Sequence, residues 1–178
     1  MLRIIAGNLK GRKLATPTWP GLRPTSDKLR ETLFNVVATR VEGARVLDAY
    51  AGTGAIGIEA LSRGAGHVTF IESDPRALKL IQENLQRCGV SDRYAIIRTR
   101  VASGLNGSFD LAVLDPPYEE PDLSLPVAAV TPAMNPGGMI VLEHARRRVP
   151  PEPVDGLART RTLTSGDSAL TFYLKATP

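Results

Sequence analysis

The chain has 178 residues, of which 43% are hydrophobic and 22% are charged, and this length suits one domain with a substantial core. It contains no run of about 18 uncharged apolar residues, and its first residues reach charge and glycine too early for a secretory signal, so we expect a cytoplasmic protein without a membrane span. The single cysteine, Cys88, excludes an intramolecular disulfide and a multi-cysteine zinc site. With only two histidines beside it, we expect no bound metal.

Positive charge is concentrated at the start of the chain. Residues 1–45 carry nine basic and three acidic side chains, a net charge of +6, whereas the remaining 133 residues carry a net charge of −2. This asymmetry favours a basic module that binds a polyanion, although a solvated basic face would explain the charge equally well. We therefore divide the chain into a basic hairpin and linker, residues 1–22, and a main domain, residues 23–178, and we expect that domain to fold without residues 1–14.

The N-terminal quarter contains three local patterns. Residues 2–14 are typical of two short strands joined near Gly7 and Asn8, which tolerate a positive φ. The next segment, TPTWPGLRPTS, holds three prolines and a glycine and is typical of an ordered linker. A helix is predicted to begin near Thr25–Asp27, because leucines and valines then recur on one face. Arg30 lies off that apolar face.

From residue 45 onward the sequence alternates between strand and helix patterns. Repeated strand–helix–strand units followed by a terminal hairpin predict an α/β fold, a doubly wound parallel sheet with an antiparallel edge. The predicted strands are 44–50, 67–73, 93–99, 109–118 and 138–144, the predicted helices are 55–65, 75–88 and 122–134, and the hairpin turns at 165–167.

A glycine-rich motif joins the first of these strands to its helix. The run Asp48-Ala-Tyr-Ala-Gly52-Thr-Gly54-Ala-Ile-Gly57 lets the backbone turn tightly and approach a ligand at a helix N-terminus. Asp48 can pair with a ligand ammonium, and Glu72, at the end of the second strand, can accept hydrogen bonds from both hydroxyls of a ribose. A ligand with an ammonium and a ribose but no phosphate is S-adenosylmethionine. A nicotinamide cofactor and a purely structural turn are the alternatives.

The second motif, Asp115-Pro116-Pro117-Tyr118, ends the fourth strand on the same edge of the sheet. Asp115 can accept one N–H of a planar amino group, and the carbonyl of Pro116 can accept the other. Two acceptors orient the nitrogen and raise its electron density as it attacks a methyl carbon. Tyr118 offers a flat face on which the base that carries the amine can stack. We interpret these residues as the catalytic set; a loop that merely stops a buried strand is the structural alternative.

The motifs together resemble a known family. DPPY with DAYAGTGAIGIEALSRGA is similar to class I amino-group methyltransferases, and the segments RIIAGNLKGRKL and RPTSDKLRETLFN resemble the RsmD family, which methylates N2 of a guanine in 16S ribosomal RNA. The resemblance covers nearly the whole chain. It implies a Rossmann-like, seven-stranded methyltransferase sheet with a small N-terminal β-hairpin, and a substrate presented by a partly assembled small ribosomal subunit. We expect the protein to act as a monomer.

The resemblance also assigns roles by position. The cofactor is expected to contact Asp48, Gly52, Gly54 and Glu72, and the guanine amine Asp115, Pro116 and Tyr118. The family usually has Gly-Asp-Ala after the third strand, where this chain has Thr99-Arg100-Val101, so adenine recognition is expected to use backbone groups near Arg100 and Val101. The residues expected to contact RNA are Arg3, Lys10, Arg12, Lys13, Arg23 and Arg30.

Two other functions stay open beside guanine methylation. A DNA adenine or a protein glutamine would present a similar NH2 group. Glutamine enzymes usually carry Asn at the position of Asp115, however, and DNA enzymes of this chemistry generally need a larger target-recognition region than 178 residues allow. A non-catalytic RNA-binding assembly factor is disfavoured because both motifs are intact.

Overall fold

Seven strands and four α-helices are present in the computed structural model, which describes residues 2–22, 25–101, 105–154 and 156–177. The predicted elements after residue 45 are confirmed, although β5 begins earlier than expected. The strands are β1 (Arg45–Ala49), β2 (His67–Glu72), β3 (Tyr94–Arg98), β4 (Phe109–Leu114), β5 (Met134–Ala145), β6 (Leu157–Ser165) and β7 (Ser168–Lys175). The helices are α1 (Asp27–Val36), α2 (Ala55–Ser62), α3 (Pro75–Cys88) and α4 (Ser124–Val130).

The strands form one sheet in the order β3-β2-β1-β4-β5-β7-β6. Strands β1 to β5 are parallel to their neighbours among themselves, whereas β7 is antiparallel to both β5 and β6. This seven-stranded arrangement confirms the predicted fold class. The strand order reverses between β1 and β4, and in such sheets ligands bind beyond the carboxyl ends of the strands at that point.

Alternate residues along each strand face two apolar cores. On one face, Val46 of β1 and Val113 of β4 pack with α1, α2 and α3. On the other face, Leu47 and Leu114 pack with α4. Burial of both faces explains why the parallel strands have nearly continuous apolar sequences. Among the residues that the structure describes, no helix is both long enough and apolar enough to span a lipid bilayer.

The N-terminal segment belongs to the first of these cores. Leu2, Ile4 and Leu14 are buried there together with residues of α1 and α2. Burying such side chains stabilises a protein by about 1.5–3 kcal/mol each. This packing contradicts the expectation that the main domain folds without residues 1–14, because their removal would uncover the core.

Instead of two regular strands, the described part of this segment shows one β-bridge, between Arg3 and Lys13. Further backbone hydrogen bonds join its two arms, from the Leu14 N–H to the Leu2 carbonyl at 3.0 Å and from the Ile4 N–H to the Arg12 carbonyl at 2.9 Å, and other backbone groups bond to α2. The N–H groups of Ile5 and Ala6 donate to the carboxylate of Glu59 at 2.7 and 3.0 Å. A buried carboxylate on the helix thus fixes the path of the segment.

Arg30 is fully buried, which corrects the prediction that it contacts RNA. Its Nη2 donates to Asp27 Oδ1 at 2.6 Å and to the carbonyl oxygen of Arg3 at 2.8 Å, and its Nη1 lies 3.7 Å from Glu59 Oε2. Helical periodicity alone places this arginine outside the apolar stripe, but the N-terminal segment covers that side of α1. Arg23, another predicted contact, lies outside the described residues.

Candidate active site

A cavity of about 1130 Å³ opens at the carboxyl edge of the sheet. Its walls come from the loop after β1, the turn after β2, the segment after β3 and the DPPY motif after β4, so both sequence motifs meet in one space. The linker before α1 closes one side, since Trp19, Leu22 and Thr25 also line the cavity. Pockets for one drug-sized ligand measure about 300–1,000 Å³, so this cavity has room for a cofactor and part of a second ligand.

The glycine-rich loop turns through left-handed backbone conformations. Gly52 and Gly54 have φ angles of 54° and 75°, and Tyr50, a non-glycine residue, has a φ angle of 63°. Gly57 serves a different purpose, because a Cβ added there would lie 2.2 Å from the ring of Phe70 on β2. The first two glycines therefore permit the turn, and the third permits the close approach of α2 to the sheet.

Glu72 holds the turn after β2 against the glycine loop. Its Oε2 accepts a hydrogen bond from the Gly52 N–H at 3.0 Å, and its Oε1 accepts bonds from the N–H groups of Ser73 and Asp74 at 2.7 and 2.9 Å. An ionised carboxylate has about four acceptor positions, so one remains, on Oε2. In this conformation Glu72 can accept one ribose hydroxyl, and not both as the sequence suggested.

Asp48 lies under the loop and is almost completely buried. Its Oδ2 accepts a hydrogen bond from the Gly57 N–H at 2.8 Å, in the first turn of α2. Burial raises the pKa of Asp48 well above its ordinary value, the Gly57 bond lowers it, and the Asp115 and Glu72 carboxylates raise it further. Three carboxylates around one cavity favour a cationic ligand such as an ammonium or a sulfonium.

Asp115 stands at the end of β4, next to β1. Its N–H donates to the carbonyl of Ala49 at 3.3 Å, and its Oδ2 accepts a hydrogen bond from Thr25 Oγ1 at 2.9 Å. Burial raises the pKa of Asp115 to about 6, while the bond from Thr25 lowers it. The carboxylate is therefore ionised at neutral pH and can accept N–H groups. Pro116, beside it, is buried against the cavity.

Tyr118 is 44% exposed at the cavity mouth. Its hydroxyl lies 3.0 Å from Ser168 Oγ at the start of β7. Behind it, Arg148 donates hydrogen bonds to the carbonyl oxygens of Glu120 and Pro121 at 2.5 and 3.1 Å. The loop that carries Tyr118 is thus held on two sides, and the exposed ring is suited to stacking. The sequence offered no sign of the role of Arg148, which lies within a run of three arginines.

Arg100 and Val101 also line the cavity, beyond the end of β3. Val101 is buried in the second core, whereas Arg100 is exposed. The N–H of Thr99 donates to the carbonyl oxygen of Glu72 at 3.2 Å, which places this segment beside the turn after β2.

The sequence did not predict that the linker lines the cavity. The guanidinium of Arg76 lies 5.2 Å from the centre of the Trp19 ring, and a Cβ on Gly52 would lie 3.0 Å from Leu22 Cδ1. These contacts join residues that are distant along the chain. The signals were the proline-rich composition, which indicates a fixed path but not its direction, and the single tryptophan, which in such a linker usually packs against the core.

Four of the basic residues predicted to contact RNA are exposed and do not line the cavity. The predicted RNA contacts that the structure shows as exposed are Arg3, Lys10, Arg12 and Lys13.

In the described ranges, no group of three or more His, Cys, Asp and Glu side chains is arranged to hold a metal ion.

Comparison with known proteins identifies relatives over nearly the full chain. A family model described as conserved hypothetical protein 95 matches residues 2–174. The Bacillus subtilis protein YlbH, described as a candidate rRNA methyltransferase, is 34% identical over 182 aligned residues, which cover 98% of this chain and 99% of that protein. Escherichia coli ribosomal RNA small subunit methyltransferase D is 51% identical over 84 residues, 47% of this chain and 42% of that protein. The solved structure of Escherichia coli YhhF, described as a candidate methyltransferase, has a TM-score of 0.86 at 29% identity, covering 99% of this chain and 98% of that one.

Proposed function

We propose, because the chain belongs to the RsmD family matched over residues 2–174, that it transfers a methyl group from S-adenosylmethionine to the exocyclic N2 amine of one guanine in 16S rRNA. The substrate is a small ribosomal subunit that is still being assembled in the cytoplasm. The observation that carries the proposal is the single cavity shared by the glycine loop, Glu72 and Asp115.

The residues around the cavity fit S-adenosylmethionine, which supplies an electrophilic methyl carbon when bound. Glu72 keeps an acceptor position for a ribose hydroxyl, and backbone groups near Arg100 and Val101 lie beside it for the adenine. The buried carboxylate of Asp48 and the partly buried carboxylate of Asp115 favour the positive charges of the ammonium and the sulfonium. A diphosphate would meet the same carboxylates unfavourably, which argues against a nicotinamide cofactor.

Asp115 and Pro116 orient the nucleophile. The carboxylate accepts one N–H of the guanine amine and the Pro116 carbonyl accepts the other, which directs the nitrogen at the methyl carbon. S-adenosylmethionine, held by Glu72 and the glycine loop, would supply the methyl carbon that this nitrogen attacks. Positive charge then develops on the nitrogen, where Asp115 stabilises it and takes the departing proton.

Recognition of RNA uses Tyr118 and the N-terminal segment. The guanine leaves its stack, at a cost of a few kcal/mol, and stacks on the exposed ring of Tyr118. Phosphate contacts offset that cost. The exposed basic residues that make them are Arg3, Lys10, Arg12 and Lys13. One chain provides the cavity and these residues together, so a monomer suffices.

The test is mass spectrometry of 16S rRNA from a strain that lacks the gene. We expect one N2-methylguanine to disappear, to return with the wild-type gene, and to stay absent with Asp115→Ala. Glu83→Ala, on the exposed side of α3, is the matched control and should restore the modification. Loss of a methylated DNA adenine or protein glutamine, with 16S rRNA unchanged, would favour the second class of substrate. Restoration by Asp115→Ala would favour a non-catalytic assembly factor.

A further inference from the structure

Thr25 reaches the reacting end of the cavity from a distant part of the chain. It precedes α1 and lies 90 positions before Asp115, yet its Oγ1 donates a hydrogen bond to Asp115 Oδ2 at 2.9 Å. Both residues line the cavity. The contact therefore involves the carboxylate that the proposed function assigns to the target amine.

We propose that Thr25 is a positioning residue for Asp115, an inference that rests on the proposed methylation of an amine. Its hydroxyl group occupies Oδ2, sets the plane of the carboxylate and leaves Oδ1 to accept an N–H of the substrate. An aspartate side chain otherwise rotates about two bonds, and its terminal torsion is broad. Misplacement of a reacting group by about 1 Å can cost on the order of 100-fold in rate.

The neighbours of Thr25 hold it in place. Ser26 is the N-cap of α1 and accepts a hydrogen bond from the Leu29 N–H at 3.2 Å. Leu22 packs on the glycine loop at Gly52. The branched Cβ of threonine restricts its χ1 angle, so the hydroxyl is presented from a fixed backbone by a stiff side chain.

The same hydrogen bond opposes the effect of burial on Asp115. Burial favours the neutral acid, whereas the donated O–H favours the ionised form and lowers the pKa of Asp115. The basic groups on the cavity wall in the described residues are Arg76 and Arg100. The acidic groups on that wall are Asp48, Glu72, Asp74, Asp115, Glu119, Glu120, Glu143 and Asp167. The effect of Thr25 on Asp115 is therefore measured as a difference between variants that share all these charges.

The experiment compares Thr25→Val, which keeps the shape and removes the donor, with Thr25→Ser, which keeps the donor. Methyl transfer to purified small-subunit particles is measured from pH 5 to 8 with saturating S-adenosylmethionine, and at pH 7 the S-adenosylmethionine concentration is also varied to obtain its KM. We expect kcat of Thr25→Val at pH 7 to fall roughly 10-fold, the lower end of the range for one hydrogen bond to a charged group. The acid limb of its pH–rate profile should move to higher pH, and its KM for the cofactor should stay unchanged. Thr25→Ser should recover most of the rate. The exposed Thr16→Val is the matched control and should behave as wild type.

A second measurement does not depend on the substrate. The carboxyl carbon of Asp115 is titrated by NMR in the protein without ligands, with Asp115→Asn used to assign its signal. We expect a higher pKa for Asp115 in Thr25→Val than in wild type. If no variant methylates particles but this difference is present, the proposed function fails and the link between Thr25 and Asp115 stands. An unchanged pKa, or a rise in the cofactor KM with no change in kcat, overturns the inference and makes Thr25 a cofactor-binding residue.

Discussion

The Oε2 atom of Glu72 lies 3.0 Å from the backbone nitrogen of Gly52, so a hydrogen bond joins the end of β2 to the loop after β1. The other carboxylate oxygen holds the N–H groups of Ser73 and Asp74. Glu72 therefore shapes the pocket as well as offering an acceptor to a ribose, and its replacement removes both contributions.

Replacing Glu72 with Ala should weaken S-adenosylmethionine binding by roughly 1.5–3 kcal/mol, or about 10- to 150-fold in Kd, the range for a lost hydrogen bond to a charged group. Glu72→Gln should also bind weakly, because its NH2 group would face backbone N–H donors. Titration calorimetry gives both affinities, with Glu83→Ala on α3 as the control. An unchanged Kd in a folded Glu72 variant would remove this residue from the site.

Replacing Asp115 with Ala should mainly lower kcat and leave cofactor affinity largely intact, because its partner is the target amine. Asp115→Asn should retain more activity, since its amide oxygen still accepts one hydrogen bond. In wild type, activity should fall as the pH drops through about 6, where Asp115 becomes protonated. Kinetics on particles combined with calorimetry test this. Parallel losses of binding and rate would instead assign Asp115 to the cofactor pocket.

Asp115 should also make stability depend on pH. Its pKa is about 6 in the folded protein and about 3.9 in an unfolded chain, so between these values the folded state binds more protons and stability falls as pH rises. Asp115→Asn, which does not titrate, should therefore gain stability relative to wild type between pH 4 and pH 7. Urea unfolding at both pH values measures the gain. The same difference in unfolding free energy between the two proteins at pH 4 and at pH 7 would show that titration of Asp115 is not the cause.

Glu59 should be essential for the fold. Its buried carboxylate accepts N–H groups from Ile5 and Ala6, pairs with Arg63 and lies near the buried Arg30. Glu59→Gln should cost about 3–5 kcal/mol of unfolding free energy, because it removes a buried negative charge beside Arg30 and Arg63 and brings an NH2 group near the backbone N–H donors of Ile5 and Ala6. Glu83→Gln, whose partner Arg87 is exposed, should cost at most about 1 kcal/mol. Equal unfolding free energies in urea for the two variants would show that the N-terminal segment is held by other contacts.

The charge of the N-terminal segment should be tested by substitution, since deletion would open the core. Removing four exposed basic groups should lower the salt slope of RNA binding by roughly 0.7–0.9 units for each phosphate that the segment no longer neutralises. Cofactor affinity should stay constant, and turnover on particles should fall most at physiological salt. The variant replaces Arg3, Lys10, Arg12 and Lys13 with Gln. The control replaces an equal number of exposed basic residues elsewhere: Lys79, Arg87, Arg98 and Arg161. Identical salt slopes for the two variants would exclude this segment as the RNA-binding surface.

The layout of the site was predictable from the sequence because it follows from the alternation of strands and helices along the chain. The glycine loop, Glu72 and Asp115 each come directly after a strand pattern, and parallel strands separated by helices bring their carboxyl ends to one edge. That reasoning needs only local periodicity, turn residues and the handedness of the connections. It predicted which motifs share a cavity, but it assigned Glu72 more acceptor positions than the backbone N–H groups leave.

The sequence by itself therefore determined the sheet, the order of its motifs and the edge at which they meet, because each depends on residues close together in the chain. Only the tertiary structure decided that Arg30 is buried under the N-terminal segment and that Thr25 reaches Asp115 across 90 positions. Periodicity describes the faces of one helix or strand, and it contains no information about which distant segment covers a face. Buried polar groups must find partners wherever the fold places them, so those partners appear only once the chain is packed.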